Sequence, residues 1–133
     1  MNYGASVTLQ APFADAVARV RAALAAQGFG VLTEIDVTAT MRARLGEQME
    51  DYVILGACNP PFAHRALGID RSIGLLLPCN VVVRAAGAGS IVEALDPQIM
   101  ATLTGRPELK SVADEVTRQL AAALADLAKG EEE

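Results

Sequence analysis

The chain has 133 residues and a formal net charge of −5, with 52% hydrophobic and 20% charged residues. That length is one domain's worth, able to bury roughly two-thirds of its unfolded surface without disulfide or metal staples. The acidic balance, with a sequence pI of about 4.8, argues against nucleic acid as a partner, and no apolar run approaches the ~18 residues a membrane span needs.

Tyr3, Ala5, Val7 and Leu9 alternate, which predicts a first strand over residues 3–9. Pro12 opens a helix whose Phe13, Val17, Val20 and Leu24 form one apolar stripe. Gly28 stops it, and Phe29 packs back on the last turn. In the second strand Val31, Thr33, Ile35 and Val37 are expected to face the helices, with Glu34 and Asp36 on the opposite face. A short helix follows over 39–45, stopped at Gly46. Residues 52–58 read as a buried strand, and Asn59-Pro60 as the cap and start of a helix to about Leu67. Residues 70–77 fit either a helical turn or a strand start. Pro78 marks a strand start, an edge or a bulge, and Cys79 to Ala85 is a strand. A turn at Gly87-Ala88-Gly89-Ser90 leads to its hairpin partner, Ile91 to Leu95. Asp96-Pro97 caps a short helix carrying Ile99, Met100 and Leu103. Leu109, Val112, Val116, Leu120, Leu124 and Leu127 then mark a long final helix. The reading is one α+β domain over 1–128: a single antiparallel or mixed sheet of about five strands, with helices packed on one face. Residues 129–133 read as a flexible acidic tail.

Three stretches together carry a resemblance. They are Gly28 to Val37, then Ile54-Leu55-Gly56-Ala57-Cys58-Asn59-Pro60, then Ile73 to Val83 with its Leu-Leu-Pro-Cys-Asn-Val, and Asp96-Pro97 follows. The chain resembles the bacterial and archaeal domain of unknown function 302 family from about Tyr3 to Leu127. The resemblance implies a small α+β domain, often alone in its chain, that forms homodimers. It implies no activity and no catalytic residues.

Cys58 and Cys79 are the first candidate site residues, each at the end of a predicted strand and each followed by asparagine. A thiol pair suits a soft ion such as Cu(I), or redox cycling, while a lone cysteine is commonly a small core hydrophobe. If the chain re-enters the sheet antiparallel, the two cysteines lie at the same end; parallel re-entry separates them. Cys58 precedes a helix start that would lower a thiol pKa, but Pro60 and Pro61 remove two N–H donors there. His64 is a candidate base or third ligand, the alternative being a surface histidine. Asn59 is most simply a helix cap, and Asn80 is unusual in a strand. Glu34 and Asp36 are a weaker pair, read as a solvated face. No histidine- or cysteine-rich metal signature is present, so a metal site would have only Cys58, Cys79 and His64 to draw on. Unbridged thiols and the lack of a visible secretory signal give a cytoplasmic expectation. Two functions follow. The first is a homodimeric small-ligand or metal-binding module lined by Cys58, Asn59, His64, Cys79 and Asn80. The second is a thiol-dependent enzyme or redox protein using Cys58 and Cys79. Neither names a cofactor.

Overall fold

Alternation along each strand decides which face of the sheet is buried. The structure, a computed structural model, describes residues 2–131. Strands β1 (Gly4–Leu9), β2 (Gly30–Asp36), β3 (Tyr52–Cys58), β4 (Cys79–Ala86) and β5 (Gly89–Leu95) form one sheet in the order β1-β5-β4-β3-β2. Every neighbouring pair is antiparallel. Leu9, Val53, Leu55, Val81, Val83 and Val92 lie on one side and are buried.

Helices α1 (Phe13–Ala26) and α5 (Lys110–Gly130) cover that side, joined at the β3–β4 end by α3 (Pro60–Ile69). Leu120 and Leu127 of the α5 stripe meet Val20 and Leu24 of α1 over the sheet, while Val112 and Val116 lie toward α3. This is the α+β sheet the periodicity calls for. Two further helices are short: α2 (Val37–Leu45) after β2, and α4 (Ile99–Thr104) after β5. Among the described residues no helix is long and apolar enough to cross a membrane.

Two local readings are revised, and one open between two alternatives is resolved as a helical turn. The register of β2 against β3 shifts between Val31 and Thr33. Such a bulge puts one extra residue into the strand, so the alternation changes phase. Val31 stays on the helix side, but Thr33 and Ile35 turn to the helix-free face, opposite Gly56 and Ile54. Glu34 and Asp36 accordingly sit on the helix side of this edge, the reverse of the expected arrangement. Glu34 pairs with Arg21 of α1 at 2.9 Å, and Asp36 caps α2 by accepting from the Ala39 N–H at 2.9 Å. They are not a free carboxylate pair.

Residues 71–76, ambiguous in sequence, form a 3-10 turn (Arg71–Leu76) capped by Asp70, which accepts from the Ser72 N–H. At the C-terminus, Lys129 and Gly130 are the last residues of α5, not the start of a tail. Glu131 accepts from the Gln10 N–H at 2.7 Å and from Arg19 at 2.8 Å. The Gln10 bond first, then Arg19, holds its carboxyl below the ordinary carboxylate range. Glu132 and Glu133 lie outside the described residues.

Candidate functional site

Antiparallel re-entry sets the site. Ala57 of β3 stands opposite Cys79 of β4, so Cys58 is one residue along from the partner of Cys79. Cross-strand and along-strand spacings then put the two cysteine Cα atoms about 6 Å apart. Both are free thiols, Cys79 buried and Cys58 half-buried. Both residues line one crevice beneath α3, together with Phe29, Asn59, Phe62, Pro78, Met100 and Val116. Cys79 faces the helices, while Cys58, one step past the core-facing Ala57 at the last position of β3, stands at the crevice rim.

The lining is almost wholly apolar, and the crevice encloses about 20 Å³, room for one water-sized group. Met100, at the start of α4, brings a third sulfur-bearing side chain to it. Nothing in the sequence pairs Met100 with the cysteines, because it arrives from beyond β5 and reads there as an ordinary apolar position. The cis Leu77–Pro78 peptide bond leads the chain into β4.

The other candidate residues separate. Asn59 occupies the cap position of α3 and lines the crevice, yet its side chain caps nothing. A capping side chain accepts from the second or third helical N–H, and the second position here is Pro61, which has none. The Asn59 Nδ2 instead donates to the Gln27 carbonyl at 3.3 Å, tying β3 to the end of α1. Phe62, Ala63 and Ala66 are the α3 residues turned toward the crevice. His64 is two steps past Phe62, about 200° around the helix, and is exposed. It does not join the cysteines. Asn80 follows Cys79 in β4, so alternation turns its side chain to the opposite face, where it lines a shallow groove of about 210 Å³ with Tyr52 and Leu95. It also meets Cys79, Pro78 and Met100 along a neighbouring cavity of about 230 Å³. Among the described residues no three His, Cys, Asp or Glu side chains gather where they could hold a metal. Besides the two cysteines, Met100 is the sulfur-bearing residue among those lining this crevice.

Electrostatics work against a nucleophilic thiol. Burial raises the Cys58 pKa above its ordinary 9.0. The two prolines remove two of the helix-start N–H groups that would oppose it. Cys79 is pushed up to about 11, by burial first and by Cys58 second. Both thiols are therefore held protonated at neutral pH, and in that state neither is activated.

A pH dependence follows. A thiol whose pKa is raised on folding keeps its proton in the folded state while the unfolded chain releases it above pH 9. The stabilisation is complete below pH 9 and is lost as pH climbs toward 11. Cys79→Ala should therefore show a shallower loss of stability between pH 9 and 11 than the wild type. The difference should be on the order of 1–3 kcal/mol, read by urea unfolding at each pH. Parallel curves would show Cys79 to be accessible to water.

Comparison with known proteins agrees with this architecture. A family model described as "Domain of unknown function DUF302" matches residues 5–127. The chain is similar to a solved structure, the crystal structure of an uncharacterized conserved protein DUF302 from Bacillus stearothermophilus. The two are 27% identical with a TM-score of 0.87, over 96% of this chain and 99% of that one. No curated protein matches.

Proposed function

The chain belongs to the DUF302 family, and from that premise we propose that it is a homodimeric binding module whose crevice takes a soft monovalent metal ion of the Cu(I) class. The observation that carries the reading is the lining: Cys58, Cys79 and Met100 around a space of about 20 Å³. Organic ligands of ordinary size fill pockets of about 300–1,000 Å³, far more than this crevice offers. A single ion is the right size, and thiolate with thioether is the donor set that selects Cu(I) over harder ions. The raised thiol pKa values fit a donor pair that stays protonated until an ion displaces the protons. They argue against the thiol-enzyme alternative, which needs a lowered one. Pairing of two copies is the family expectation, and it places no demand on the crevice.

The test is a competition titration of the reduced protein with Cu(I) against a chromogenic chelator, repeated with Ag(I). One ion per chain is expected. Cys58→Ser and Cys79→Ser should each weaken binding at least about tenfold, Met100→Leu by less, and His64→Ala should leave it unchanged. Affinity should rise with pH between 6 and 9, because binding releases thiol protons. Binding that depends on His64 and not on Cys79 would contradict the reading.

A further inference from the structure

An antiparallel sheet with one face in water normally places polar side chains there. The helix-free face of this sheet departs from that pattern. Ile35 of β2, Ile54 of β3 and Val82 of β4 stand opposite one another in register, an apolar row across three strands. Tyr52 lies on the same face two residues before Ile54. Ile35 is 49% exposed, and none of the row belongs to the buried core.

The charge pattern is equally uneven. The chain carries a net charge of −5. Yet the two rows that cross this face through Val82 and Tyr52 hold only Arg84 and Glu93, paired with each other at 3.1 Å. Two copies of an acidic chain repel least where each presents a neutral surface. A two-fold axis brings the same patch of both copies together, so the basic and acidic members of the pair can each meet their opposite.

We infer that a second copy of the chain docks on this face, sheet against sheet, with the Ile35–Ile54–Val82 row at the centre of the contact. The inference rests on the homodimer reading and names the surface for it. Five strands about 4.8 Å apart and about 20 Å long give a footprint of roughly 500 Å² per copy, of the order of the smaller specific interfaces. Packed sheets stand about 10 Å apart, which side chains of this size span. The ion crevice lies on the other side of the sheet and stays open in such a pair.

Light scattering at micromolar concentration tests it, using the full chain and its Val82→Glu variant. The wild type is expected at twice the chain mass of 13.9 kDa, and Val82→Glu at the single-chain mass with an unchanged circular-dichroism spectrum. Should Val82→Glu fail to fold, Ile35→Lys, at the sheet edge and half exposed, reads the same surface. A wild type at the single-chain mass would overturn both the homodimer reading and this inference. A dimer that survives both substitutions would overturn the inference alone, with the homodimer reading intact and its interface elsewhere.

Discussion

Leu55→Ala should cost the fold about 2–5 kcal/mol and lower the melting temperature by roughly 10 °C or more. Leu55 is fully buried on β3, opposite Val81 of β4 and Glu34 of β2. Its side chain fills the layer between the sheet and the helices that cover it. Truncation removes its transfer free energy and leaves a cavity that strands paired on both sides cannot collapse into. Thermal unfolding followed by circular dichroism reads the change. A shift of only a degree or two would mean that the helix layer re-packs freely over β3.

Gly56→Ala is the second large effect, and it reaches the site. A Cβ at this position would lie 2.3 Å from the Thr33 Oγ1 and 2.8 Å from the Pro78 Cγ. The threonine hydroxyl can rotate away, but the proline ring is held by its own backbone, one residue before Cys79. Overpacking of this kind costs about 1–3 kcal/mol. The relief available is to push the Pro78–Cys79 corner off β3, which moves Cys79 from Cys58. Gly56→Ala should therefore lose both stability and Cu(I) affinity, measured by urea unfolding and by the chelator competition. A variant with reduced stability and wild-type affinity would show the crevice to be insulated from this corner.

The elements were legible because each repeats its signal. The α5 stripe recurs over five turns, and the strands after Pro78 and around Gly87-Ala88 are bounded by residues that cannot continue them. The proximity of the cysteines was legible too, as a consequence of a short connection returning antiparallel. What escaped was phase. One extra residue near Leu32 turns Thr33 and Ile35 to the helix-free face, and a leucine in a run of strand formers gives no sign of being that residue. Asn80 could have been parted from Cys79 by alternation alone, and His64 from the crevice by its angle to Phe62 and Ala66. The Asn59 side chain was misjudged because Pro61 takes away one of the two N–H groups it could cap, and its amide reaches the Gln27 carbonyl instead. Met100 could not have been found, since its approach depends on how α4 folds back after β5.

X-ray absorption at the metal edge of the reduced protein loaded with Cu(I) reads the donor set of the crevice. One ion per chain should survive gel filtration, with a first shell of sulfur from two thiolates and one thioether. A shell of nitrogen or oxygen donors, or a protein that elutes without the ion, would contradict the reading.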